Sequence, residues 1–231
     1  MWNRADGLFI GCTVNFRHDR RVQKAEVRLM NELACNEAEL AGQVAETPAF
    51  SHENHGSRFY RFSLSVPRLS GQDDILPVLI PERLAGIAVR GKYLRVKGQF
   101  RSYNNKTGQG SRLILALFAQ SAEECQEESE NRIRLRGTLC KPPVLRRTPL
   151  GRSICDLMLA VPRKYGRADY LPVIAWGRVA ADVSEKTVGD SLMLEGRMQS
   201  RTYTKPTENG NETRTAYEIS VMCLLETSVK N

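Results

Sequence analysis

Asn131-Arg132-Ile133-Arg134-Leu135-Arg136-Gly137 repeats, in altered residues, the earlier stretch Asn36-Glu37-Ala38-Glu39-Leu40-Ala41-Gly42. In the later version Ile133 and Leu135 alternate with three arginines, the period-two pattern of a strand with one face in a core. The two stretches lie 95 residues apart, as do Val66-Pro67-Arg68 and Val161-Pro162-Arg163, and Leu76-Pro77-Val78 and Leu171-Pro172-Val173. The spacing widens to 98 at Gly98 and Gly196 and, pairing Tyr103 with Tyr203, to 100, as short loop insertions would produce. Solenoid units run to roughly 20–50 residues, so this is a duplicated domain instead. Copies at 36–121 and 131–226 each suffice for a core of their own.

Outward from the heptad, the second copy reads as further strands. Cys155, Leu157, Leu159 and Val161 form one face of a second strand, and residues 170–176 form a third. Residues 179–186, with Ala180 and Ala181, read as a helix. Leu192, Leu194, Gly196 and Met198 line a fourth strand, and Tyr217, Ile219 and Val221 a fifth. The order β-β-β-α-β-β predicts an all-β fold: two tandem five-stranded Greek-key barrels of the OB type, each with a short helix between strands three and four. A glycine inside the fourth strand, Gly98 or Gly196, fits a bend or bulge. The polar run 204–212 predicts a mobile finger between strands four and five, with 104–111, containing Lys106-Thr107-Gly108, as its counterpart.

Hydrophobic residues make up 41% of the chain, which excludes wholesale disorder. No apolar run approaches the ~18–20 residues of a membrane span, and no signal-peptide core is present, which predicts a cytoplasmic protein. The net charge of +8 is uneven. Residues 131–231 carry 17 bases against 10 acids and residues 36–121 carry 11 against 7, whereas 122–130 has five glutamates and no base. Basic domains attract polyanions, nucleic acid above all. The acidic segment reads as a linker, helical or disordered, lying off any polyanion track. Residues 1–30, with Arg17, His18, Arg20, Arg21, Lys24 and Arg28, read as a basic, poorly ordered extension, and Met30 offers a second translation start. The six cysteines form no C-x-x-C pair and read as reduced. His52 and His55 fit a solvated loop better than a metal site. No nucleophile–base arrangement, phosphate-binding loop or metal cluster is visible, so neither an enzyme nor a cofactor is predicted.

Tyr165, Tyr170, Trp176 and Tyr203 fall on or beside strands two to four of the second copy, interleaved with Arg163, Lys164, Arg167, Arg178, Arg201 and Lys205. Rings stack on unpaired bases for ~1–3 kcal/mol each, and cations neutralise phosphates. A duplex hides its bases, so this mixture selects single strands. Tyr217 alternates with Ile219 and Val221 and reads as core, Trp176 as partly buried, and Tyr165 and Tyr203 as exposed.

With these residues in place, the second copy resembles the bacterial single-stranded DNA-binding proteins. The likeness rests on the opening heptad, Lys141-Pro142-Pro143-Val144-Leu145-Arg146, Thr148-Pro149-Leu150-Gly151-Arg152, Trp176-Gly177-Arg178-Val179-Ala180 and Leu194-Glu195-Gly196-Arg197-Met198. In that family three tryptophans and one phenylalanine stack on bases. The resemblance implies that Tyr165, Tyr170 and Tyr203 stand for the tryptophans and Trp176 for the phenylalanine. In the first copy the counterparts are Ser70, Ile75 and Pro81, and only Tyr103 keeps its ring, with Tyr60 and Phe62 as core candidates. That predicts a first copy stripped of most stacking: a structural half, a dimer surface or a weak backbone track using Arg95, Lys97 and Arg101. The chain stops at Ser228-Val229-Lys230-Asn231 without the acidic-tipped tail through which the family recruits replication and repair proteins. The resemblance implies sequence-tolerant single-stranded DNA binding in replication, recombination or repair, by a nucleoid-associated homodimer with four barrels. Two alternatives stay open: a protein-interaction module of a primosome-like or mobile-element assembly, and an RNA binder.

Overall fold

Backbone pairing joins the two copies edge to edge. The computed structural model describes residues 36–104, 113–207 and 210–225. The N-terminal extension, Lys106-Thr107-Gly108, the Lys205 side chain and the C-terminal residues 226–231 lie outside the described parts. The first copy comprises β1 (Asn36–Val44), β2 (Ala49–Asn54), β3 (Ser57–Pro67), β4 (Asp73–Pro81), a one-turn helix α1 (Glu82–Ala85), β5 (Tyr93–Asn104) and β6 (Leu113–Glu124). The second comprises β7 (Glu130–Leu139), β8 (Val144–Arg147), β9 (Ser153–Pro162), β10 (Ala168–Trp176), α2 (Gly177–Ser184), β11 (Ser191–Thr207) and β12 (Gly210–Leu224). Strand order across the sheet is β2-β3-β4-β6-β5-β1-β7-β11-β12-β10-β9-β8, the same sequence read outward from its centre in both directions. At that centre β1 and β7 pair antiparallel from Asn36↔Leu135 to Ala41↔Glu130. Contacts of β1 with β3 and of β7 with β9 close each half into a barrel.

The predicted faces hold. Ile133 and Leu135 are fully buried, as are Cys155, Leu159, Leu194 and Met198, because alternation lets one side of each strand leave water. Phe62 is sealed in the first core and Tyr60 packs half-buried against it. The glycine within strand four sits at a register shift in both copies. A Cβ on Gly98 would stand 2.0 Å from the Phe118 carbonyl oxygen, and one on Gly196 2.5 Å from that of Ser220.

Three expectations need correction. Each copy has a sixth strand, β2 or β8, exposed along its whole length and therefore without alternation. The polar run expected as a finger is the continuation of β11 and β12, paired in register out to Thr207↔Gly210. At the start of β12, Gly210, Asn211 and Thr213 are exposed, which is why they are small or polar. The helix begins at Gly177 rather than Val179, where a φ of +57° turns the chain out of β10.

Two buried ion pairs clasp the copies together. Arg68 donates from Nε to Asp74 at 2.7 Å and from Nη2 to the carbonyl of Ser200 at 2.7 Å. Asp74, 1% exposed, accepts from the Ser200 backbone N–H at 2.7 Å and hydroxyl at 3.0 Å. The mirror image uses Arg163, Asp169 and Ser102, with the Ser102 N–H donating to Asp169 at 2.6 Å. Burial alone would raise the Asp74 carboxyl, but Arg68 and Ser200 outweigh it and hold it below its ordinary value.

The acidic segment lies against the first barrel. Glu124 meets Lys92 at 2.6 Å, Glu127 accepts from the Tyr93 hydroxyl at 3.0 Å, and Glu128 pairs with Arg95. Arg95 also pairs with Glu39, so its charge is spoken for and it is no free cation for a backbone track.

Candidate nucleic-acid interface

On β10 Leu171, Val173 and Ala175 fill the core, and Tyr170, Pro172, Ile174 and Trp176 turn outward. Register extends this outer face to either side. Trp176 lies opposite Ile154 of β9, which lies opposite Arg146 of β8. Ile174 lies beside Ser220 of β12, which lies opposite Arg197 of β11. Together they line a groove of about 1000 Å³ with Arg152, Gln199 and Arg201, and with Arg68 and Gln72 from the first copy as one wall. Ile154 and Ile174 form an apolar floor, 2% and 4% exposed. Trp176 stands 37% exposed among guanidinium groups. A flat ring over an apolar floor, with Arg152, Arg197 and Arg201 in a lining that also includes Asp73 and Glu218, suits a base with its phosphates.

Tyr170, 52% exposed, is six residues from Trp176 along the strand, roughly 20 Å at ~3.3 Å per residue. It opens onto a second groove of about 560 Å³ with Lys141, Met158 and, from the first copy, Tyr103. Burial pushes the Tyr103 phenol up to about 12, against the pull of Arg163 and Arg101, so it stays neutral. The Arg163 guanidinium lies 5.9 Å from its ring centre. Tyr203 is half-buried on the outer face of β11 with Arg201 5.8 Å from its ring centre. Tyr165, 97% exposed at a φ of +63°, tops the turn between β9 and β10, flanked by exposed Lys164 and Arg167. Arg178 is exposed at the start of α2.

The structure moves two of the expected residues to other roles. Arg163 is committed to Asp169 and to the Ser102 carbonyl of the first copy. It therefore holds the copies together instead of presenting a free cation. Tyr103 is not the counterpart of Tyr203. Ser102 and Ser200 occupy equivalent places in the two clasps, 98 residues apart, and the spacing is unchanged through Tyr103↔Ile114 and Arg201↔Ala216. Tyr103 thus stands where the second copy has Arg201. Arg146, Arg152 and Arg197 escaped the sequence reading. Arg197 was within reach of it, because it alternates with the inward Leu194, Gly196 and Met198.

Residues 130–225 match the family described as the Single-strand binding protein family. The chain is 32% identical over 99 residues to the single-stranded DNA-binding protein of Halalkalibacterium halodurans, a match covering 40% of this chain and 56% of that protein. It therefore spans little more than half of that relative's length. Identity to the single-stranded DNA-binding protein of Thermus aquaticus is 28% over 193 residues, 74% of this chain and 69% of that protein, so this likeness runs through both copies. The crystal structure of the wild-type Thermus aquaticus protein aligns with a TM-score of 0.66, covering 85% of this chain and 94% of that one. At 21% identity this establishes the shared OB fold alone.

Proposed function

We propose that this chain binds single-stranded DNA, without sequence preference, along the outer face of the second barrel, the part of the chain that matches the Single-strand binding protein family. Trp176 carries the reading: a tryptophan over an apolar floor, partly open to water, in a groove that Arg152, Arg197 and Arg201 also line, whereas Arg146 is paired with Asp156. Trp176 stacks on one base, Tyr170 on another further along the strand, and the arginines meet the phosphates. Tyr165, Lys164, Arg167 and Arg178 are exposed flanks available to a longer strand. The role is protective binding in replication, recombination or repair, in the cytoplasm and without catalysis. Two chains would assemble four barrels. Among the described residues no helix is long and apolar enough to cross a membrane.

The test is a titration of the protein with oligo(dT) and with a duplex of equal length at rising salt. Single-strand affinity should exceed duplex affinity by at least about tenfold and fall with salt as counterions are released. Equal affinity for the two would defeat the reading, and a solution mass of one chain would remove the dimer.

A further inference from the structure

The expectation that the first barrel has lost its rings does not describe its outer face. Alternation in β3 sends Phe62 and Leu64 inward and Phe59 outward, and in β6 it sends Leu117 inward and Phe118 outward. The Phe59 and Phe118 centroids are 5.5 Å apart. His52 of β2 lies 5.1 Å from Phe59 with the ring planes 16° apart. Beneath them Leu79 points to the outer side of β4 yet is only 5% exposed, an apolar floor like that of Ile174. A guanidinium stands at one end of the row, Arg101 at 5.8 Å from the Phe118 centroid, within reach also of Gln99 and Asp169.

Register shows that these are the same places on the sheet. Phe59↔Pro81 in the first barrel corresponds to Ile154↔Trp176 in the second, and Leu79↔Phe118 corresponds to Ile174↔Ser220. Where the second barrel has its ring on β10, the first has proline, and where the second has isoleucine and serine, the first has two phenylalanines. Rings have been relocated on this face and not lost from it. We infer that the outer face of the first barrel is a second stacking track for unpaired nucleobases, built from His52, Phe59 and Phe118 with Arg101 at its edge. This deepens the function proposed above and rests on it for the class of ligand. These positions are the counterparts of the groove proposed above for bases on the second barrel, and the rings here offer an unpaired base the same kind of flat face. The surplus of bases in this copy, 11 against 7 acids, agrees with a polyanion.

Full-length protein carrying Phe59→Ala and Phe118→Ala together is titrated with oligo(dT) of increasing length, alongside the parent and Trp176→Ala. With short oligonucleotides the double variant should keep the parent's Trp176 quenching. With long ones its affinity should fall about 10- to 100-fold and its occluded length shorten, the loss expected for one or two stacked bases. Unchanged affinity and occluded length in a folded double variant would overturn the inference. Failure of the second-barrel reading looks different: Trp176→Ala would then bind as the parent does. Photocrosslinking of the unaltered protein to 5-iododeoxyuridine-substituted oligo(dT) needs no variant. Adducts on His52, Phe59 or Phe118 support the track, and adducts confined to the second barrel refute it.

Discussion

Replacing Asp74 by asparagine probes the coupling between the two copies. Its carboxylate is 1% exposed and serves the Arg68 guanidinium on one side and the Ser200 N–H and hydroxyl on the other. Asparagine has the same shape, and its oxygen can still accept from Ser200. It leaves Arg68, whose side chain is only 21% exposed, without a counter-charge. Removing one partner of a buried pair costs about 3–5 kcal/mol, and the residual exposure of Arg68 sets the loss near the lower end, about 3 kcal/mol. For a chain of this size each kcal/mol lowers the melting temperature by about 2–4 °C, giving a drop of about 6–12 °C. Thermal unfolding by calorimetry measures it. Arg68→Gln together with Asp74→Asn neutralises both groups and should recover more than half of the drop. A single variant that melts within about 1 °C of the parent, or a double variant that falls further than the single, would refute the reasoning.

Four further outcomes follow from the structure. The Asp74 carboxyl is held below its ordinary 3.8, so its contribution is complete above that value and is lost as pH falls through the depressed one. Below about pH 4 the parent's melting temperature should therefore converge on that of Asp74→Asn, and parallel profiles would contradict this. Gly98→Ala places a methyl 2.0 Å from the Phe118 carbonyl oxygen and should destabilise by several kcal/mol (~2 or more) in denaturant titration. Gly86→Ala, with open space around it and a φ of −63°, should be neutral or slightly stabilising in the same assay. Arg197→Ala should lower the slope of log affinity against log salt by about one, and an unchanged slope would take it off the phosphate path.

The barrels were legible because a strand with one buried face writes its fold in alternation. Ile133 and Leu135, or Leu157 and Leu159, announce their inner side with no knowledge of their partners. Val144–Arg147 has no buried face, so its pattern resembles a turn, and the start of β12, Gly210–Thr213, likewise shows no buried residue. Tyr170 and Trp176 were found because their neighbours on β10 are so clearly core. Arg163 was misread because the group that claims it, Asp169, is buried by contact with Ser102, 67 residues away. One trace was available: Arg68 and Asp74 repeat as Arg163 and Asp169 at the same spacing. Phe59 and Phe118 lie outside by alternation with Phe62 and Leu117, but they stand where the second copy has Ile154 and Ser220, so matching the second copy's rings does not reach them.

The intrinsic fluorescence of Trp176 on addition of oligo(dT) tests the central claim most directly, because this ring lies in the groove where bases are proposed to stack. Trp2 is the only other tryptophan, so Trp176→Ala isolates the signal. Saturable quenching in the parent, absent from a folded Trp176→Ala protein that also binds about 5- to 100-fold more weakly, is the predicted result. A parent that binds oligo(dT) with no change in Trp176 emission, and a variant of undiminished affinity, would contradict it.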